Sequence, residues 1–281
     1  MKKWGISTED LDCFCQYLSG EERSAATIEK YRRDVAQFAA WLGKKQLKKE
    51  AGVRWKAFLL AQGCEPSTVN GKLTALDRFL CFLGQADCKV KHLKIQRRLF
   101  REAGRELTRR EYDQLLAAAR STGRERLALL MESICSTGIR VSEVRYLTVD
   151  AARCGKVEVA LKGKIRAILL PGKLCRKLLK YARKNKIASG EIFLTRSGTS
   201  LSRKQIWREM KGLCQRAGVA PTKVFPHNLR HLFARTFYQA CRDVVKLADV
   251  LGHSSIGTTR IYLLSTGAEH AKVLEQLRLI S

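Results

Sequence analysis

Apolar residues recur through the first hundred positions at the three- and four-residue spacing of amphipathic helices, broken by turn signals. Between Thr27 and Gly43, the residues Ile28, Tyr31, Val35, Phe38 and Leu42 fall on one face. Gly43 is placed to end that helix, since glycine accepts the left-handed conformation common at helix C-termini. Lys30 and Arg33 lie off the apolar face. A second run opens at Pro66-Ser67-Thr68 and carries Val69, Leu73, Leu76, Leu80 and Leu83 to Gly84, with Lys72 and Arg78 turned to solvent. Beyond Gly84 the period fades and bases accumulate, as in Lys89-Val90-Lys91 and Gln96-Arg97-Arg98, so residues 85–106 read as a basic linker. Structure restarts at Leu107, where Thr108 is a candidate N-cap and Glu111, three residues on, its capping-box partner. The pattern predicts a helical unit over 1–84 and a second unit over 107–281.

The period changes once inside the second unit. Val157 to Leu161 alternates, Gly163 marks a turn, and Arg166 to Leu170 returns to Pro171, which predicts a hairpin. The fold class expected is mainly α with a small antiparallel β-sheet. After Gly267, the residues Ala271, Leu274, Leu277 and Ile280 hold helical register and predict a C-terminal helix over 268–280, one that could dock on its own subunit or on a neighbour.

Charge changes this picture most. The formal net charge is +28, where a soluble domain needs only a magnitude of roughly 2 to 8 to stay dispersed. Lys and Arg run the whole length of the chain, so a basic tail does not account for them, and a polyanion such as nucleic acid is the expected partner. No segment has the roughly 18 uninterrupted apolar residues of a membrane helix. The basic start Met1-Lys2-Lys3-Trp4-Gly5 runs into polar Ser7-Thr8-Glu9-Asp10, and the expected location is cytoplasmic. The ten cysteines include no Cys-x-x-Cys pair, so buried reduced thiols are expected rather than a zinc site or a disulfide frame.

Three local patterns have chemical content. In Ser136-Thr137-Gly138-Ile139-Arg140-Val141-Ser142-Glu143 one helix ends at Gly138 and another begins, with Arg140 near its N-terminus and Glu143 a turn on. A guanidinium there could hold a phosphate or simply form a surface ion pair. In Phe225-Pro226-His227-Asn228-Leu229-Arg230-His231 proline can open a helix, and the i, i+3 spacing turns His227 and Arg230 to one side. His231 is close to the same face, and spacing does not choose between the two histidines. Lastly, Val244 to Leu251 reads as an amphipathic helix stopped by Gly252, with His253 just beyond and Tyr262 at the start of a short apolar run.

Taken together and in this order, the stretches resemble the tyrosine recombinase family of phage integrases, Xer recombinases and mobile-element integrases. Thr137 to Val144 is similar to that family's first arginine box, His227 to Phe233 to its His-x-x-Arg box, and Leu251-Gly252-His253 followed by Tyr262 to its closing box. The resemblance implies a helical core-binding domain that clamps DNA, joined to a mixed α/β catalytic domain. It implies Arg140 and Arg230 as clamps on the scissile phosphate, Tyr262 as nucleophile, His227 and His253 in the phosphate pocket, and Glu143 as a supporting residue. A family lysine on the β-hairpin falls on Lys162, although Leu161-Lys162-Gly163-Lys164 is tighter than the usual turn and Lys164 remains a substitute. Lys30, Arg33, Lys72, Arg78, Arg203 and Lys204 are candidate DNA contacts.

The chemistry suits these residue types. Attack on a phosphodiester builds negative charge that guanidinium forks match while staying ionised. A tyrosine with a pKa near 10 is only about a thousandth ionised at pH 7, so it must lose its proton as it attacks. The departing 5′-oxygen needs a proton, which an ammonium can give. One phosphoester replaces another, so neither metal nor ATP nor any other cofactor is implied. The resemblance implies strand exchange on double-stranded DNA by a homotetramer assembled there, compatible with monomers in solution, for integration, excision, inversion or dimer resolution. A type IB topoisomerase and a non-catalytic DNA-binding architectural protein are the alternatives, and a membrane-surface role does not fit bases that fail to segregate along an apolar helix face.

Overall fold

In the first unit a capping box opens α1 (Thr8–Gly20): the Ser7 hydroxyl accepts from the Asp10 amide at 3.2 Å, and the Asp10 carboxylate accepts from the Ser7 amide at 2.9 Å. The computed structural model describes residues 5–95, 103–161, 164–262 and 275–276. The chain divides into two units, 1–97 and 98–281, and its described part is mainly helical with one two-stranded antiparallel sheet. After α1 come α2 (Ala25–Leu42), α3 (Lys49–Ala61) and α4 (Pro66–Phe82). Phe14, Leu18, Val35 and Phe79 form one apolar cluster of this unit, and Phe38, Trp55, Leu73 and Leu76 another. The stripes of α2 and α4 are those expected from spacing. In α3 no stripe is legible, because Val53, Phe58 and Leu60 stay exposed while Trp55 and Leu59 are buried, leaving apolar residues all round the helix.

The same unit corrects the expectation that Lys72 and Arg78 face solvent freely. Asp34 on α2 is buried, and a buried carboxylate needs cationic partners. Lys30 supplies one at 2.7 Å and Lys72, from α4, another at 3.8 Å. Arg78 is paired with Glu21 and lies 5.9 Å from the Tyr17 ring centre. The basic stretch after Gly84 is likewise not all linker. Val90 is buried in the space left by Gly52, where a Cβ would come within 2.5 Å of Val90 Cγ2. Asn70 donates to the Leu93 carbonyl at 2.9 Å and accepts from its amide at 2.8 Å. At the far end Leu107 is buried, and Asn228 donates to the Arg105 carbonyl at 2.8 Å.

The second unit begins with α5 (Arg109–Ser121), opened by the Thr108–Glu111 capping box that the sequence predicts. It continues through α6 (Glu125–Thr137), α7 (Val149–Cys154), β1 (Lys156–Leu161), β2 (Lys164–Leu169), α8 (Gly172–Lys184), α9 (Arg203–Lys211), α10 (Cys214–Ala217), α11 (Pro226–Cys241), α12 (Val244–Leu251) and α13 (Ile256–Arg260). Leu127, Leu130, Met131 and Ile134 of α6 pack in the main core with Leu115, Leu178, Ile206 and Leu229. Each such buried aliphatic side chain contributes about 2 kcal/mol by removal from water. In the hairpin Val157 pairs with Ile168 and Val159 with Arg166. Val157, Val159 and Ile168 are buried while Leu169, on the opposite face, is exposed, so Arg166 occupies the inward face of its strand.

All ten cysteines are free thiols, but only Cys214 is buried; the others are half-buried or exposed, which corrects the expectation of buried thiols. No helix among the described residues is long and apolar enough to cross a membrane. The expected C-terminal helix lies outside the described residues except at 275–276.

Candidate active site

The end of α6 sets the site. Gly138 takes a left-handed conformation (φ +65°), and a Cβ there would meet the Phe233 ring at 2.5 Å, so both backbone and packing call for glycine. The chain then buries Ile139 and enters a short 3-10 helix, Val141–Tyr146, in place of the full helix expected, with Arg140 at its N-cap. Glu143 is wholly buried. Its Oε2 accepts from the Arg140 amide at 2.9 Å and from Arg166 Nη2 at 2.7 Å, and its Oε1 accepts from Arg140 Nη1 at 2.9 Å. Burial opposes ionisation of this carboxyl, but the bonds from Arg140 and the charges of Arg166 and Arg140 outweigh it and hold the pKa below the usual carboxylate value.

Helix α12 supplies the second anchor. It stops at Gly252, again left-handed (φ +62°), where any Cβ would run into the Arg166 guanidinium. Its last carbonyls point at the arginines: Leu251 O accepts from Arg166 and, at 2.7 Å, from Arg230 Nη2, and Gly252 O accepts from Arg140 Nη2 at 3.0 Å. Three like charges can gather here because the carbonyl end of a helix carries partial negative charge and Glu143 carries a full one. Arg230, from α11, is 2% exposed and also donates to the Gly138 carbonyl. Burial first, then the neighbouring Arg140, pushes it down to about 10, so it stays cationic at neutral pH. Three guanidiniums against one carboxylate leave the site with an excess of positive charge.

The histidines divide by position. His253 Nε2 lies 3.1 Å from Arg230 Nη2, and arginine can only donate, so Nε2 accepts. The proton then sits on Nδ1, which donates to the Thr259 hydroxyl at 2.9 Å. Burial and the charges of Arg230, Arg140 and Arg166 press His253 down to about 4. His227 opens on the cleft, yet partial burial of its ring and then Arg230 and Arg140 also lower its pKa. His231 does not share its place. Its ring sits 4.3 Å from that of Tyr262, its buried Nδ1 has no hydrogen-bond partner, and burial followed by His227, Arg235 and Arg230 drives its pKa down to about 3.

Tyr262 follows α13, its amide bonded to the Thr259 carbonyl at 3.0 Å. The residue is 4% exposed, clustered with Ala234, Leu247 and Leu251, and its ring lies nearly parallel to that of His253 at 5.7 Å. It nevertheless lines a cleft of about 480 Å³ together with Arg140, Ser142, Arg203, His227, Arg230 and His253. The structure therefore brings together Arg140, Glu143, His227, Arg230, His253 and Tyr262, and adds Arg203 from the start of α9. Lys204 is exposed but does not line the cleft, and Lys30, Arg33, Lys72 and Arg78 belong to the first unit. Lys162 lies outside the described residues, while Lys164 opens β2. Sequence reasoning missed Arg166 and Thr259. Arg166 had a readable signal, a charge in register with the apolar positions of a hairpin; Thr259, wholly buried beneath His253, had none.

Two family descriptions match this chain: the phage integrase family over residues 105–269, and the phage integrase N-terminal SAM-like domain over residues 11–87. The chain belongs to the phage integrase family. Among its relatives are the tyrosine recombinase XerA of Pyrococcus furiosus, 29% identical with 99% of each chain covered, and the tyrosine recombinase XerD of Brucella suis, 31% identical over 90% of this chain and 91% of the relative. In fold it is similar to the XerH site-specific recombinase bound to difH substrate, with TM-score 0.70, 19% identity and 95% of this chain and 84% of the other covered. It is similar also to a lambda integrase dimer bound to a COC′ core site, with TM-score 0.72, 18% identity and coverage of 93% and 95%. Its enzyme class is that of the tyrosine recombinases, and its reaction is site-specific DNA recombination.

Proposed function

We propose that Tyr262 is the nucleophile that cuts and rejoins DNA at a phosphate clamped by Arg140 and Arg230. The supporting observation is the convergence of both arginines, His227, His253 and Tyr262 on one cleft with uncompensated positive charge. The Tyr262 oxygen attacks phosphorus, a phosphotyrosyl bond forms, and the bond to the 5′-oxygen breaks. Of the two histidines lining the cleft, His253 already uses both ring nitrogens, on Arg230 and Thr259. His227 has no hydrogen-bond partner among the described residues and stays neutral at pH 7, so it is the group we assign to take the phenolic proton. Lys162 is our candidate to protonate the departing 5′-oxygen. Glu143 holds Arg140 in place without reacting. Rejoining is the same displacement run backwards by a new 5′-hydroxyl, which conserves the phosphoester energy.

We take the partner to be double-stranded DNA, a reading supported by the net charge of +28 and by the likeness in fold to a XerH recombinase bound to difH substrate and a lambda integrase dimer bound to a COC′ core site. A lambda integrase tetramer bound to a Holliday junction is also similar in fold, and we extend that assembly to a homotetramer of this chain on DNA. Free thiols suit the reducing cytoplasm, where we place the reaction. A nicked suicide duplex carrying the recombination site tests the assignment on a denaturing gel. Wild-type protein should give a covalent protein–DNA band that Tyr262→Phe abolishes; a band of equal intensity from the variant would sink the assignment of Tyr262.

A further inference from the structure

Helix α8 carries a one-sided charge distribution. Its sequence, Gly172 to Lys184, contains no acidic residue. Leu174, Leu178 and Ala182 are buried and the half-buried Leu179 and Tyr181 pack against the main core, so its apolar side is turned to the inside of the protein. Lys173, Arg176, Lys180, Arg183 and Lys184 are exposed, and at 100° per residue they fall within about a third of the circumference on the side away from that core. Carboxylates account for only part of this charge. Lys177 is held by Glu132 at 2.8 Å, shared with Arg120, and Lys184 by Glu125 at 2.6 Å. Lys173, Arg176, Lys180 and Arg183 have no acidic partner among the described residues.

We propose that this outer face of α8 is a second DNA-binding surface, which holds the phosphate backbone of a duplex other than the one in the cleft. The inference rests on DNA being this protein's partner, and it does not depend on which residue performs the cleavage. From Lys173 to Lys184 the face extends about 17 Å along the helix, a length over which duplex DNA offers about ten phosphate charges. Leu174 and Leu178 are buried, Leu179 and Tyr181 are half-buried against the core, and the outer face between the bases carries no large apolar residue to insert between lipids, which argues for a rigid polyanion over a membrane surface. None of these bases lines the cleft that contains Tyr262, and the groove beside them is a different one, formed with Arg120, Glu125 and Glu132 of the α5–α6 region. Scattered ion pairs do not require four unpaired cations along a single stripe; a phosphate backbone does.

The test is a bridging assay with the full chain. A random-sequence duplex long enough for one subunit only, and therefore unable to seed the tetramer whose clefts would join two duplexes by themselves, is fixed sparsely to beads, protein is added, and capture of a second, equally short fluorescent duplex is measured. Wild-type protein and Tyr262→Phe should both capture it, since no cleavage is needed. Arg176→Glu combined with Lys180→Glu and Arg183→Glu should still bind the fixed duplex, fail to capture the second, and lose about 3 from the salt slope of total DNA binding. The neutral set of three glutamines, which leaves no new like charges to disturb folding, should show the same loss to a smaller degree. Capture by the glutamate variant equal to wild type would overturn the proposal, as would loss of both duplexes in parallel, which would mean one continuous footprint. A variant that bridges DNA normally but no longer sediments with phosphatidylserine–phosphatidylcholine vesicles would assign the face to membranes instead.

Discussion

The two units handle positive charge in opposite ways. In the first, Lys30 and Lys72 share the buried Asp34, and Arg78 is matched to Glu21, so basic side chains that look available along the sequence are occupied in stitching α1, α2 and α4 together. In the second, Arg140, Arg166 and Arg230 crowd around one carboxylate and the end of one helix, and the surplus opens on a cleft. A net charge of +28 is spread over both. We place the function where the charge is left unmatched, and the number of bases in a segment is a poor guide to where that happens.

The largest effects should come from the unmatched side. Arg230→Lys removes the planar fork that reaches Gly138, Leu251 and His253 at once, and covalent cleavage should fall by about 100- to 1000-fold; activity within a few-fold of wild type would mean that Arg230 is structural. Glu143→Gln leaves Arg140 and Arg166 facing a neutral amide inside the protein. It should cost about 3 kcal/mol or more in urea unfolding, and a smaller loss would show that the carbonyls of α12 suffice to hold the arginines.

The histidines give a pH test of intermediate size. A folded-state pKa of about 3 for His231, against about 6.5 unfolded, means that the unfolded chain binds a proton the native protein refuses between those values. Stability is therefore fully present above about pH 6.5 and declines as pH falls, by at most about 1.4 kcal/mol per pH unit from this residue. Urea midpoints measured from pH 7 to 5 should drop, and His231→Phe should flatten that drop; identical slopes would place the acid sensitivity elsewhere.

The smallest effects belong to the matched side. Lys72→Ala and Arg78→Ala should each lower stability by no more than about 1 kcal/mol, as partly exposed ion pairs do. Each should change the salt slope of DNA binding by less than the about 0.9 that a phosphate contact contributes. Arg33, which is exposed and has no partner among the described residues, is the contrasting case: Arg33→Ala should take about that full amount from the slope. If Lys72 and Arg78 behave like Arg33, their internal pairs open on DNA, and the contrast between the units is one of the free protein only.

Much of this was legible in the chain itself. Periodicity placed α2, α4, the capping box of α5 and the hairpin, because each depends on residues a few positions apart and on local backbone preferences. The order of Arg140, His227, Arg230, His253 and Tyr262 pointed to their shared chemistry. Tertiary structure alone decided which side chains meet. Arg166 and Glu143 are joined across 23 positions, and Arg140 and the Gly252 carbonyl across 112. No local pattern encodes such pairs, since they depend on how strand and helices pack. The same holds for the choice between His227 and His231: their spacing on α11 allows either to face the cleft, and only the packing of Tyr262 against His231 leaves His227 open to it.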